Sequence, residues 1–74
     1  MPTIAVVDGI KIQVFADHNP PHFHAVKAEH EVLIAIGSWR VIEGSMRRAD
    51  LNSVIAWAKA HEQELRNEWN CING

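Results

Sequence analysis

Cysteine is nearly absent from the sequence, since Cys71 is the only one among 74 residues. A single thiol cannot form an internal disulfide, so no disulfide framework holds the fold together. Cys71 lies close to the C-terminal end, where chains commonly fray. This position favours a bystander thiol over a nucleophile or a metal ligand.

Long apolar runs are also missing. The longest one extends from Val32 to Ile36, far short of the roughly 20 residues that span a bilayer as a helix. The first residues, Met1-Pro2-Thr3, show no basic region followed by an apolar stretch, so we expect no secretory signal and a cytoplasmic protein. At this length the chain has room for one small domain, residues 1–74.

The sequence lacks an excess of basic residues. Seven lysines and arginines against nine aspartates and glutamates give a formal net charge of −2, whereas domains that coat nucleic acid usually carry a basic excess. A local basic patch is still available, because Arg40, Arg47 and Arg48 lie close together ahead of the predicted helix. We interpret this patch mainly as a basic helix N-terminus beside an acidic, solvated C-terminal third.

Alternation of apolar and polar residues predicts strands in the first half of the chain. Asp8-Gly9 supplies the positive-φ residues that a two-residue type I′ turn needs, so a hairpin joins strands at Thr3–Val7 and Ile10–Val14. In the second of these strands the two isoleucines and the valine share the buried face. Three further strands are predicted at His22–Ala28, Glu31–Ile36 and Trp39–Glu43.

The apolar period changes to that of a helix from about residue 49 to residue 70. One stripe of this amphipathic helix collects Leu51, Val54, Ile55, Ala58, Leu65 and Trp69. His61 and Glu62 lie on or beside the stripe, and we expect their polar ends to reach water. The sequence therefore predicts an α+β fold: a single small domain with a four- or five-stranded, mainly antiparallel sheet, its strands within residues 3–43, and one long C-terminal helix packed on one face.

Histidine and proline are concentrated in one segment from Asp17 to His24, which reads Asp-His-Asn-Pro-Pro-His-Phe-His. The two prolines restrict the backbone, so the segment is a stiff connector into the third strand. On a strand, His22 and His24 project from the same face. Because Lys27 on the opposite face looks solvent-facing, we expect the histidine pair to lie on the core side near the margin of the sheet, whereas a β-bulge in the strand would reverse the two faces.

These residues resemble family 4160 of the domains of unknown function, small bacterial proteins marked by an extended Asn-Pro-Pro-His-Phe-His segment after an N-terminal hairpin. The resemblance covers nearly the whole chain and is carried by His18 to His24, Gly44-Ser45, Trp57, His61, Glu64-Leu65 and Trp69. The Gly-Ser-Leu-Pro usual in the family is Gly44-Ser45-Met46-Arg47 here, so the helix entry lacks its proline. Members look like halves of two-gene modules, which implies a toxin–antitoxin-like pairing and no established chemistry.

The first functional hypothesis is an interaction module, the toxin-like half of such a pair, which binds a cognate small protein from a neighbouring gene and needs no cofactor. A long amphipathic helix, an apolar strand and three tryptophans leave apolar surface for a partner. Rigid segments rich in rings usually serve recognition. The predicted partner-binding residues are Asn19, Pro20, Pro21, His22, Phe23, His24, Trp57 and His61.

The same apolar residues, which one small sheet and one helix would not cover completely, predict self-association. One helix covers one face of the sheet, so the other face of the strand from Val32 to Ile36 would be left open to water. A symmetric homodimer is the commonest way to cover such a patch. The alternative is a monomer in which the N-terminal hairpin curls over the second face.

The second hypothesis is a metal-independent ribonuclease, with RNA as its substrate. Histidine titrates near neutrality and suits general acid–base catalysis, and arginine can stabilise the charge of a phosphorane-like transition state. The predicted catalytic residues are His22, His24 and Arg40, with Arg47 or Arg48 as other sources of the guanidinium group. The sequence does not decide whether the chain is an enzyme, because the order of residues along the chain does not show whether these side chains are close in space.

The third hypothesis is a transition-metal site, for zinc as an example. Neutral imidazoles suit zinc, nickel, copper or iron, and a His-x-His strand supplies two ligands, whereas a stable site needs three or four. The predicted ligands are His18, His22 and His24, and the set is completed by His30, His61 or Asp17. The alternative is that the histidines bond to the backbone and pack against tryptophan.

Overall fold

A computed structural model describes residues 3–16 and 20–73 of the chain. Within these residues the strands are β1 (Thr3–Val7), β2 (Ile10–Gln13), β3 (His22–Lys27), β4 (His30–Ala35) and β5 (Val41–Ser45), and the helices are α1 (Arg48–Ala60) and α2 (Glu62–Asn73). The strands form one antiparallel sheet in the order β1-β2-β3-β4-β5. The predicted α+β class and antiparallel sheet are confirmed, whereas the one long helix is two.

The first hairpin forms as the alternation predicts. Asp8 and Gly9 have φ angles of 50° and 79°, which a type I′ turn requires, and Val7 pairs with Ile10 across the turn. Both isoleucines of β2 are fully buried. The alternation in β2 therefore fixes which face of the sheet carries the core.

The core lies on the face of β3 that carries Phe23 and Ala25. Both residues are fully buried, and Ala25 pairs with Ile12 of β2 and Val32 of β4, which are fully buried too. The histidines of β3 therefore lie on the opposite face, since neighbours along a strand alternate. The face that carries Phe23 and Ala25 is therefore a core face and not a solvent-facing one, while His22 on the opposite face is buried too, against Trp69.

Lys27 explains why the sequence indicates a solvent-facing surface on this side of β3. It shares the core face with Phe23 and Ala25, but at the end of β3 its side chain reaches α1, where its Nζ lies 3.1 Å from Oδ1 of Asp50. A lysine can cover apolar surface with its stem while its ammonium group is paired at the margin of the core. The polarity of Lys27 is therefore no sign of a solvent-facing strand surface.

The helical segment breaks at His61, which has φ −121° and ψ 27°. Its amide donates to the carbonyl oxygens of Trp57 and Ala58, both at 3.1 Å, and its ring Nδ1 donates to the same Trp57 oxygen at 2.8 Å. Such local bonds from a side chain give the backbone an alternative to a continuous helix. The apolar stripe still identifies the helical part of the core, which contains Val54, Ala58, Leu65 and Trp69.

The break allows α2 to meet the end of the sheet where β2 stops and β3 starts. Asn73 Nδ2 donates to the carbonyl oxygen of Phe15 at 3.2 Å, and the ring centroids of Trp69 and His22 are 5.1 Å apart. Within the described part of the chain, neither helix is long and apolar enough to cross a membrane.

The large apolar side chains that remain exposed in the described residues lie on the two edge strands. They are Val6 on β1, with 63% of its surface exposed, and Val41 and Ile42 on β5, with 43% and 46%. The central segment from Val32 to Ile36 is instead buried or half-buried throughout. The homodimer remains a prediction, but the exposed apolar surface that would support it lies at the sheet edges and not on that segment.

Candidate functional site

The two prolines of the connector are tied to the sheet through their carbonyl groups. Pro21 O accepts a bond from the amide of Ile36 at 2.9 Å, and Pro20 O accepts one from Nδ1 of His22 at 2.9 Å. The stiff segment predicted from the sequence is thus held against the end of β4. The predicted partner-binding residue Asn19 and the predicted ligands His18 and Asp17 lie outside the described residues.

His22 and His24 take part in a row of four rings at this end of the sheet. Phe15 meets His24 edge-on with ring centroids 4.4 Å apart, His24 lies 5.4 Å from His22, and His22 lies 5.1 Å from Trp69 of α2. We call Phe15, His24, His22 and Trp69 the ring row. It joins β3, α2 and the segment that follows β2, because its members come from these three parts of the chain.

The ring row is well shielded from water. His22 is only 5% exposed, and the side chain of His24 is 13% exposed. Phe23, which was predicted to bind a partner, is fully buried on the core face. His22 matches the alternative to a metal site, because its ring bonds to the backbone and packs against a tryptophan.

Each histidine of the ring row donates from Nδ1 to an oxygen atom that can only accept. His22 donates to the Pro20 carbonyl, and His24 donates to Oε2 of Glu31 at 3.1 Å. A neutral imidazole that makes such a bond carries its proton on Nδ1 and its lone pair on Nε2. Metal sites and general acid–base sites orient their imidazoles in this way.

Glu31 was not predicted as part of the site, although the hairpin geometry contains the signal for it. Ala28 has a φ of 53°, and the tight turn pairs Lys27 with His30. Continuing this register places Glu31 opposite Val26 and diagonal to His24 on the same face of the sheet. Counting from a two-residue turn at Ala28-Glu29 would have found the pair.

Arg40 lies near the ring row but in a separate cleft of about 340 Å³. The described residues that line this cleft are Pro20, Ala35, Ser38, Arg40, Val41 and Ile42. Ala35 links the two regions, since it pairs with His22 across the β3–β4 ladder and its amide donates to the carbonyl oxygen of Arg40 at 2.9 Å. The structure therefore brings the three predicted catalytic residues to one end of the sheet. Among the described residues that line the Arg40 cleft, however, neither His22 nor His24 is present.

Trp57 and His61 form a second ring pair on the helices. Their rings stack with centroids 4.5 Å apart and an interplanar angle of 16°, and both residues are half-buried. The pair lies at the joint between α1 and α2. No ring contact among the described residues joins it to the ring row.

The predicted metal set is not assembled by the residues that the structure describes. Within residues 3–16 and 20–73, no group of three or more histidine, cysteine, aspartate or glutamate side chains is arranged to hold a metal ion. His22 and His24 supply two imidazoles, and the third predicted ligand, His18, lies outside those ranges. Cys71 is a free, exposed thiol.

A family model described as Domain of unknown function (DUF4160) matches residues 9–70. The chain belongs to the DUF4160 family. The matched region of this DUF4160 chain contains the whole ring row, the Arg40 cleft and β5, whereas β1 precedes it. No curated protein and no solved structure matches the chain.

Proposed function

We propose that this DUF4160 chain is a small interaction module that binds an extended segment of a cognate partner protein as an added strand along β5. The observation that carries the proposal is the exposure of β5: all five of its residues are exposed. An edge strand presents a row of backbone N–H and C=O groups that pair readily with another chain. The exposed side chains of Val41 and Ile42 add apolar contact to those bonds.

The two edges of the sheet differ in how well they are covered. On β1, Ile4, Ala5 and Val7 pack against the core, and α1 contacts this strand. β5 has no residue in the core, and it is pressed closely against β4 at Gly44, where an added Cβ would collide with the carbonyl oxygen of Glu31. The open side of β5 is thus the better docking edge.

Charge along this segment favours an acidic partner. Arg40 immediately precedes β5, and Arg47 and Arg48 closely follow it, with all three side chains exposed. Glu43 is the only acidic residue from position 40 to position 48.

In an antiparallel pairing of two β5 strands about their centre, the two copies of Glu43 would face each other, and like charges placed opposite one another are destabilising. A different, acidic chain fits better than a second copy.

The resemblance to two-gene modules supports the product of a neighbouring gene as the partner, with this chain as the toxin-like half of the pair in the cytoplasm. Binding by strand addition requires no cofactor. Under this proposal the Pro20-Pro21 connector and the ring row fix the shape of the surface beside β5, because His22 holds Pro20, which lines the Arg40 cleft.

Co-purification tests the proposal. The chain is co-expressed with the neighbouring gene product as wild type, as Ile42→Lys and as Val6→Lys. Both substitutions place a lysine at an exposed edge position, but only Ile42 lies on β5. We expect the wild type and Val6→Lys to retain the partner and Ile42→Lys to lose most of it. Equal retention by Ile42→Lys, or no co-purification with the wild type, would contradict the proposal.

A second candidate is the metal-independent ribonuclease, which the bond between His24 and Glu31 favours. A carboxylate that orients an imidazole, together with Arg40 at the same end of the sheet, provides the groups that phosphodiester cleavage needs. The test is cleavage of an end-labelled RNA in EDTA by the wild type and by His24→Gln. Absence of wild-type cleavage, or equal cleavage by the two proteins, would remove this candidate.

A further inference from the structure

The Arg40 cleft lies where β5 begins, and its lining combines one cation with apolar groups. Arg40 and Ser38 are its two polar side chains among the described residues, and the remaining lining residues are Pro20, Ala35, Val41 and Ile42. Its volume of about 340 Å³ falls at the lower end of the range of ligand pockets. A guanidinium group beside an apolar wall suits a carboxylate that is attached to an apolar residue.

The turn before β5 holds the two polar residues at the cleft. Trp39 lies between Ser38 and Arg40, packs against the core, and has a φ of 60°. Its amide donates to the carbonyl oxygen of Ala35 at 3.0 Å, while the amide of Ala35 donates to the carbonyl oxygen of Arg40 at 2.9 Å. The backbone on both sides of the cleft is therefore fixed before a ligand arrives.

The guanidinium group of Arg40 has no ion-pair partner among the described residues, whereas Lys27 and Arg66 are paired with Asp50 and Glu62. An exposed guanidinium group without an internal carboxylate can bind an external one without breaking an existing bond. Arginine also binds carboxylates through two parallel hydrogen bonds, which orients the bound group.

We propose that the Arg40 cleft binds the C-terminal carboxylate and the apolar last side chain of the partner segment; this inference rests on the proposed strand addition to β5. A segment that pairs antiparallel with β5 runs in the opposite direction, so its C-terminal end lies beside Arg40. A parallel segment would bring its N-terminal end there. A free ammonium group at that end would be repelled by the guanidinium group.

The other end of β5 defines the rest of the segment. The five residues of β5 extend over about 16 Å, and beyond them lie Arg47 and Arg48. An antiparallel segment that ends in the cleft therefore carries its acidic residues roughly five to seven positions before its C-terminus. The expected ligand is an extended C-terminal tail with acidic residues upstream, apolar residues along β5 and a free apolar C-terminal residue.

Selection from two peptide libraries tests this inference and separates it from the proposed function. The immobilised full chain is offered random segments of about ten residues that end in a free carboxylate on a carrier protein, and the same segments followed by a further domain. Enrichment of acidic-then-apolar sequences in the free-ended library alone supports the cleft. Equal enrichment in both libraries overturns it and leaves strand addition standing, and enrichment in neither overturns both.

A selected peptide then tests the role of Arg40 directly. Its affinity is measured by fluorescence polarisation as the free acid and as the C-terminal amide. We expect the amide to bind the wild type about tenfold or more weakly, and Arg40→Gln to bind both forms equally. Arg47→Gln, which removes the same charge at the other end of β5, should keep the difference between acid and amide. A difference that persists in Arg40→Gln would overturn the inference.

Discussion

His24 and Glu31 face each other diagonally across the β3–β4 ladder, with His24 Nδ1 donating to Glu31 Oε2 at 3.1 Å. The histidine is shielded while the carboxylate is half in water, with side-chain exposures of 13% and 54%. Solvent therefore screens the pair, and its contribution to stability is modest. Its main effect is to fix the orientation of the His24 ring.

A double-mutant cycle measures this pair. His24→Gln, Glu31→Gln and the double variant are unfolded in urea, and we expect a coupling free energy of about 0.5–1 kcal/mol. Glu29→Gln, in the adjacent turn, serves as the control and should show no coupling with His24→Gln. A coupling indistinguishable from zero would mean that the bond adds nothing measurable to the free energy of unfolding.

Removal of the His22 ring should destabilise the protein much more. His22→Ala deletes a buried ring that packs against Trp69 and holds Pro20, so we expect a loss of about 2–4 kcal/mol in the free energy of unfolding. His30→Ala, at an exposed position of β4, should change it by about 0.5 kcal/mol or less. Similar urea midpoints for the two variants would show that the ring row has no structural role.

Gly44 offers a test of how closely β5 lies against β4. Its φ is 84°, and an added Cβ would collide with the carbonyl oxygen of Glu31, whereas Gly9 has a φ of 79° and open space around it. We expect Gly9→Ala to cost about 1 kcal/mol through backbone strain alone and Gly44→Ala about 3 kcal/mol. Equal costs in urea unfolding would contradict the close packing of the two strands.

Much of the fold follows from local patterns, and the exceptions have physical causes. Asp8-Gly9 determines a turn by backbone geometry alone, so the first hairpin was predictable. Lys27 pairs with Asp50, 23 residues away, and no local pattern reports that contact, so the core face of β3 that carries Lys27 was predicted to face solvent. The break at His61 depends on a hydrogen bond from its side chain to the backbone of the preceding helix. The spacing of apolar residues carries no information about that bond.

The sequence predicts that the two histidines of the candidate site share one face of a strand, but it does not predict which residues lie around them. The spacing of His22 and His24 places them on one face of a strand, as observed. The position of Arg40 at the same end of the sheet depends on the antiparallel return of β4 and the turn at Gly37 to Trp39, where two φ angles are positive. The exposed edge of β5 depends on what the helices leave uncovered, and this is a property of tertiary packing.

Glu43 gives a prediction about self-association. Because like charges would face each other in a paired β5 dimer, we expect the wild type to scatter light with a mass near 8.3 kDa at micromolar concentration, and Glu43→Gln to gain mass as concentration rises. A wild-type mass of twice that value would instead support the homodimer predicted from the sequence. Ile42→Lys, added to Glu43→Gln, should restore the monomer if β5 is the contact.

Zinc binding is a separate test of the histidine segment. We expect neither zinc nor EDTA to change the melting temperature, since a stable site needs a third ligand and the described residues bring none to His22 and His24. Stabilisation by zinc that disappears in both His22→Gln and His18→Gln would establish the alternative metal site and contradict this expectation.

The contact between α2 and the end of the sheet has a consequence for synthesis on the ribosome. Trp69 covers His22, and Asn73 bonds to the carbonyl oxygen of Phe15, 58 positions earlier. The sheet is therefore translated well before α2, and the surface that α2 covers stays open to water until α2 has left the exit tunnel. Premature termination before α2 would yield a chain that chaperones and proteases recognise, so only molecules translated through α2 would accumulate.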